Sequence, residues 1–451
     1  MLLGESRIVT ALKKAVKASP ADETLICVER GSKSTLRFTD GRIHQNFHEE
    51  DLSVCVKVAY DGRTGVSTTC SISHESLMRA IRTATTIAQV AAKQVPPAFS
   101  ASAPMIPTPK LTTYFQTTAH FPVAKAVELI RHLWERSASK GMELAGSFVM
   151  GEDELAVVGS RGLHQYQPFS IAGLRLVATK GKSSGFAAQA VRNLGAFEPE
   201  TLLRRAWDFC RLNKNPKKIP VGRYDVLLEP EAVEEILQWL SYIGFGAKQM
   251  VERTSFMSGR IGQKIMSPAM SIVDDATNPE GLAVPFDYEG VPKQPVTLID
   301  KGMAAHVVYD SQYAKLHKRA STGHAMAYDE FEGPLAANLF LAPGETPYNE
   351  MLKKLKRGLW ISRFHYVSGL LKTQEALMTG LTRDGTFLVQ NGRVVGAAKN
   401  LRFTQSILEA FSKVLAVSRE RRLVADPSQG LSAVVTPALL IKDFTFTGQT
   451  K

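Results

Sequence analysis

Residues 36–70 and 155–190 of this 451-residue chain echo one another, and that echo limits the fold more than any other feature. The first reads LRFTDGRIHQNFHEEDLSVCVKVAYDGRTGVSTTC and the second LAVVGSRGLHQYQPFSIAGLRLVATKGKSSGFAAQA. Each has a Gly-bearing turn, then IHQN or LHQY, an alternating strand (VKVAY or LRLVA), and a second Gly turn. His44 and His164 stand 120 residues apart, as do Gly65 and Gly185, so one offset serves several landmarks and points to a duplicated unit. Helical periodicity flanks both copies: SRIVTALKKAVKAS and ESLMRAIRTATTIAQVAAKQ around the first, AKAVELIRHLWERSAS and ETLLRRAWDFCRLN around the second. Each copy is predicted to be helix, antiparallel strands, helix, an α+β module. Between them VPPAFSASAPMIPTPK has five prolines in sixteen residues and reads as an extended linker.

The expected organisation is a first α+β module over 1–94, a Pro-rich linker over 95–112, a second module over 113–221 and a β-rich domain over 222–451 with a few surface helices. In that last part, periodicity predicts helices at 230–243, in YNEMLKKLKRGL and in TQSILEAFSKVLAVS. TRDGTFLVQNGRVVG, with its Asn-Gly turn, predicts a hairpin.

Composition places the chain among folded proteins, at 44% apolar and 22% charged residues. No apolar run is long enough to span a membrane, and the N-terminus alternates charge with apolar positions at helical spacing, so a cytoplasmic protein is expected. The four cysteines all precede residue 211 and form no CxxC pair, which argues against a zinc ribbon or a disulfide scaffold. Net charge is +12, but the basic runs KNPKK, KKLKR and RERR are short, scattered and not interleaved with aromatics. They read as a solvated basic face, and nucleic acid is an unlikely partner.

The stretch EPEAVEEILQWLSYI, from Glu229, holds the main chemical question. Pro230 suits the first position of a helix; Glu231, Glu234 and Glu235 complement the positive end of its dipole; Val233, Ile236, Leu237 and Leu240 form an apolar stripe. Glu231 and Glu235, four apart, share a face, as the histidines of an HExxH helix do, yet carboxylates alone at that spacing make a poor zinc site. His44, His48 and Glu49 lie in a strand pattern, where residues four apart are about 13 Å apart and do not chelate one ion. No phosphate loop, dinucleotide fingerprint or GxSxG elbow is present.

The C-terminal half resembles the TldD/PmbA family, specifically its PmbA or TldE branch. The resemblance is carried by EPEAVEEILQWLSYIGFGAKQM, SFMSGRIGQKI, IVDDATNPEGLAVPFDYEGVPKQPVTLIDKG, STGHA, NLFLAPGE, GLWISRFHYV, TGLTRDGTFLVQNGRVV and KNLRFTQSILEA, in family order, with RFTDGRIHQN and GRTGVSTT similar to its first domain. The resemblance implies a two-part assembly, in which a TldD-type subunit binds zinc on an HExxxH helix, with a cysteine further along as third ligand, and hydrolyses peptides. In that register Pro230 and Glu235 stand where the histidines would be, Glu231 keeps the general-base place, and no cysteine follows Cys210. The chain is therefore expected to carry no metal and no working catalytic residue. Its expected role is the non-catalytic half of a zinc protease, paired with a TldD-like catalytic subunit that holds the zinc and acting on extended or modified peptides; a homodimer when alone is possible. His324, Arg363, His365 and Arg383 are the expected peptide-binding residues. The rival readings are a stand-alone metallopeptidase with a non-standard site around Glu231 and Glu235, and a regulatory protein that modulates DNA gyrase.

Overall fold

The computed structural model describes residues 2–93, 107–327, 333–427 and 432–449. The first repeat runs α1 (Glu5–Lys17), β1 (Glu23–Thr39), β2 (Arg42–Tyr60), β3 (Arg63–Thr69), α2 (His74–Val90). The second follows a single turn, α3 (Gln116–Ala119), and runs α4 (Val123–Ala138), β4 (Glu143–Gly159), β5 (His164–Lys180), β6 (Ser183–Val191), α5 (Pro199–Leu212). Most of the linker, 95–106, lies outside the described residues; 107–112 has no regular structure.

The two repeats form one six-stranded antiparallel sheet, β3-β2-β1-β4-β5-β6, joined through β1 and β4. Ser32 pairs with Glu152, residues equivalent under the 120-residue offset, so a pseudo-twofold axis passes through that pair. Gly65 lies opposite Val58, and Gly185 opposite Ala178, at matching points of the two hairpins. Both are needed for close approach: a Cβ at Gly65 would stand 1.9 Å from the Ala84 carbonyl oxygen on α2, and one at Gly185 would stand 2.2 Å from the Ala206 carbonyl oxygen on α5. Period-two alternation gives the sheet two working faces. Ile26, Val28, Ala156 and Val158 pack beneath α1 and α2, whereas Leu25, Cys27, Leu155 and Val157 pack on Ala276, Val284 and Phe286 of the C-terminal part.

The C-terminal part comprises β7 (Gly222–Leu228), α6 (Pro230–Leu240), α7 (Ala247–Val251), β8 (Ile272–Asp274), β9 (Val296–Asp300), β10 (Met303–Ala304), α8 (Ser311–Leu316), β11 (Asn338–Leu341), α9 (Tyr348–Lys354), β12 (Arg357–Lys372), β13 (Leu377–Gln390), β14 (Arg393–Ala397), β15 (Leu401–Ser406), α10 (Ile407–Ser412), β16 (Val414–Val424) and β17 (Ala433–Gln449). β7, β12, β13, β15 and β17 pair in a closed ring, because β17 returns to β7 (Leu439 opposite Leu228). Beyond the ring, β17 carries β11, and through it β8, β9 and β10. The whole is α+β. The Asn391–Gly392 hairpin forms with both residues at positive φ (51° and 71°), as its turn type requires.

Three helix expectations are corrected. α6 is not a surface helix: Ala232, Val233, Ile236, Leu237 and Leu240 are buried in one cluster with Leu228, Leu359, Ile361 and Leu439. It ends at Leu240 and widens into a π turn over Ser241–Phe245, where Gly244 sits against the Phe256 ring. The helix expected over 404–418 shrinks to α10, capped by Ser406; Val414 and Val417 instead pair with Ile441 and Leu439 of β17, where branched side chains fit a buried strand. α9 stops at Lys354, and Gly358 already lies against the Asp225 carbonyl of β7. No helix among the described residues is long and apolar enough to cross a membrane.

Gly185→Ala, whose new Cβ meets only backbone, should lose roughly 1–3 kcal/mol in urea unfolding. Gly396→Ala, which meets nothing within 4 Å, should stay within about 0.5 kcal/mol of wild type.

Candidate functional site at the start of α6

β7 runs straight into α6 through Glu229, whose N–H donates to the Ile361 carbonyl (3.0 Å) and ties the junction to β12. Glu229 is fully buried, so its charge requires partners. Tyr348 Oη donates to Oε1 at 2.6 Å and Trp360 Nε1 to the same oxygen at 2.8 Å. On Oε2, Arg422 Nη2 stands at 2.6 Å and Arg205 Nη2 at 3.1 Å. Glu231, two residues on, shares both cations: Arg205 binds it through both Nη atoms, Nη2 at 2.7 Å, and Arg422 Nη2 lies 3.2 Å from Oε2. Burial alone would raise the Glu231 carboxyl, but Arg205 and Arg422 outweigh it and hold it at about 2. Tyr348 is pushed up, by burial first and then by Glu229.

Arg205 comes from α5 of the second repeat and Arg422 from β16, so the clamp fastens the N-terminal sheet to the C-terminal part. A second joint of the same kind lies at the first repeat, where Lys57 Nζ, buried, stands 3.7 Å from Glu289 and Tyr288 Oη donates to Glu29 at 2.6 Å.

The outer face of α6 carries Glu234 and Glu235, both half-buried. Burial raises both carboxyls; for Glu235, Arg363 and Arg175 oppose the rise. Arg175 of β5 binds Asp426 (2.6 Å), and Arg363 of β12 binds Asp384 (Nε, 2.8 Å) while lying over the Phe186 ring at 4.2 Å. Gly173 lets β5 approach Pro427. Beside this contact, a groove of about 350 Å³ is lined by Glu235, Trp239, Tyr242, Ala336 and Asp426.

The four expected peptide-binding residues do not gather in one place. Arg363 and Arg383 face each other across β12 and β13, with His365 two residues along and its ring 4.1 Å from that of Tyr366. Burial, then the Arg363 and Arg383 charges, lower the His365 imidazole. Arg383 is half exposed. His324 is fully buried elsewhere, between Asp274 (Nε2, 2.8 Å) and Thr322 (Nδ1, 2.9 Å), and burial lowers its pKa.

Arg205, Arg422, Glu229, Tyr348 and Trp360 escaped the sequence reading. RERR reads as solvated, yet Arg421 binds Glu280 and Arg422 binds Glu229, because pairing along β16 carries them onto partners far away in the chain. KNPKK keeps its exposed lysines.

Residues 221–448 match the profile of the PmbA/TldA metallopeptidase C-terminal domain, and 26–88 match its domain 1. The chain belongs to the PmbA/TldD family. A protein named metalloprotease from Methanothermobacter thermautotrophicus is 22% identical over 67% of this chain and 68% of its own length. A metalloprotease TldD homolog from Haemophilus influenzae is 26% identical, over 44% of this chain and 42% of its own length. Among solved structures, TldE from Thermococcus kodakarensis superposes with a TM-score of 0.85 at 19% identity, covering 97% of this chain and all of that one. It shares the fold.

The resemblance would put zinc at the start of α6, and the donors there do not fit that ion. Pro230 offers no ligand atom, and the Glu231 oxygens are already bound by two guanidiniums. Zinc also prefers imidazole and thiolate donors, neither of which α6 presents. Nor does any group of three His, Cys, Asp or Glu among the described residues lie in reach of one metal ion.

Arg205→Met leaves two buried carboxylates sharing one cation and should destabilise by about 3 kcal/mol, with much of that loss absent when Glu231→Gln is added. The Glu231 carboxyl falls from an ordinary 4.5 to about 2 on folding. Its contribution to stability is therefore complete above pH 4.5 and disappears as pH falls toward 2. Urea unfolding of wild type should weaken across that window more steeply than that of Glu231→Gln.

Proposed function

We propose that this chain is the non-catalytic TldE-type half of a TldD/TldE-type zinc metalloprotease. It pairs with a zinc-bearing TldD-like subunit and helps to enclose extended, unfolded or modified peptides, in the cytoplasm. The observation that carries this reading is the Arg205–Glu231–Arg422 clamp. A general base works best with a pKa near the working pH, and Glu231, held at about 2, is a weak proton acceptor at neutrality. The helix that a zinc subunit would use for chemistry is spent here on holding two parts of the fold together.

Supporting the peptide role, Arg363, His365 and Arg383 lie on β12 and β13, and the Arg363 charge reaches Glu235, which lines the groove along α6. An extended peptide bound there by main-chain pairing would be held with little regard to its side chains.

Coexpression with a TldD-like chain from the same host should give a stable complex with one zinc, carried by the partner. Glu231→Gln should leave peptide hydrolysis by the folded complex within about twofold, where loss of a working general base removes 10²–10⁴-fold. Zinc bound to the singly purified chain, with hydrolysis abolished by a chelator and by Glu231→Gln, would overturn the reading.

A further inference from the structure

A cavity of about 1530 Å³ opens between the second repeat and the C-terminal part, with Asp384 in its lining. Eight of its lining residues are lysine or arginine and one, Asp384, is acidic. Asp384 adds little compensating charge, because Arg363 and the Ser184 hydroxyl already bind it. Lys182, Lys214, Lys217 and Lys399 have no carboxylate partner among the described residues.

Three separate elements bring these cations together. Lys180 and Lys182 flank Gly181 in the β5–β6 turn, where Gly181 takes φ 59°. Lys214 and Lys217 lie in the connector from α5 to β7, which turns at Asn215 (φ 48°). That connector is then pinned beside the segment after β14: Lys217 N–H donates to the Ala397 carbonyl (2.9 Å), and Lys399 N–H to the Lys217 carbonyl (2.9 Å). The backbone thus fixes Lys217 and Lys399 next to each other against their mutual repulsion. Concave walls concentrate such a field and raise the local concentration of an opposite charge.

We propose that this basin binds an acidic stretch of polypeptide. Its volume exceeds the roughly 300–1,000 Å³ of small-ligand pockets, which suits several residues of chain. No aromatic ring lines it, so it lacks the stacking platform by which single-stranded nucleic acid is held. Its free cations are lysines, point charges that accept carboxylates at many angles, and not the arginine forks typical of tight phosphate sites. Asn215 in its lining adds an amide group able to pair with a peptide main chain. The choice of polypeptide over other polyanions rests on the peptide-handling role proposed above; the charge argument stands without it.

The test is fluorescence anisotropy of the single full-length chain with a labelled polyglutamate peptide, with a Gly/Ser peptide of equal length as control. Binding should be confined to polyglutamate, should weaken as salt rises, and should fall at least about tenfold in Lys214→Glu/Lys217→Glu/Lys399→Glu. Lys180→Glu/Lys182→Glu, on the separate hairpin turn, should weaken binding in the same direction and guards against misfolding of the first variant, as do matching thermal melts. Equal affinity of wild type and both folded variants would overturn the proposal. So would displacement of the peptide by lower concentrations of an oligothymidylate of the same length, which would make nucleic acid the occupant. Because no partner subunit is present, failure to pair with a TldD-like chain leaves this result untouched.

Discussion

Two buried carboxylates at one helix start must be neutralised, and most of the architecture serves that requirement. An unpaired carboxylate in this setting is too costly to keep, so Glu229 and Glu231 oblige the fold to deliver cations to α6. One comes from the last helix of the duplicated sheet, the other from a strand that enters the C-terminal domain almost two hundred residues later. The clamp therefore makes the N-terminal sheet a condition for burying α6. The dipole of α6 favours the same anions, but its partial charge is far from enough for two full charges in a site closed to water.

The proposed reading sets this helix start in the place of a zinc helix, where a divalent cation would sit. Here its positive charge is supplied by two guanidiniums. An arginine fork binds a carboxylate in a fixed plane and loses no proton at any ordinary pH. It can hold a glutamate as an electrostatic anchor, but it offers no water to activate and leaves the glutamate too weak a base to take a proton. On the reading proposed above, the same fold position changes from chemistry to cohesion through Pro230 and Glu235 and the arrival of Arg205 and Arg422.

What the sequence made legible was local or periodic. The 120-residue offset anticipated the duplicated sheet because a pseudo-twofold leaves equal marks in both copies, down to the glycines under α2 and α5. Asn391–Gly392 gave its hairpin away because two positive φ angles restrict residue choice so strongly. The closed ring of β7, β12, β13, β15 and β17 left no such mark, since it depends on pairings between strands more than two hundred residues apart. The clamp left no mark either: Arg205 resembles any arginine on an amphipathic helix, and Arg422, nearly two hundred residues from Glu229, any member of a basic run. α10 was overextended because ILEAFSKVLAVS suits a helix by periodicity until the demand of β17 for a branched partner decides Val414 and Val417.

The same distances explain why a net charge of +12 was a poor guide to function. Four arginines and four lysines show the contrast. Arginines 175, 205, 363 and 422 are committed to carboxylates or rings where the N-terminal sheet meets the C-terminal part, where a planar, permanently charged group loses least on partial burial. Lysines 182, 214, 217 and 399, more strongly hydrated, remain around an open basin in which water can still reach them. The charge of those four arginines is largely cancelled by the carboxylates they bind. The cations left without a carboxylate gather at the basin and not along α6, which is where the proposed electrostatic partner is to be sought.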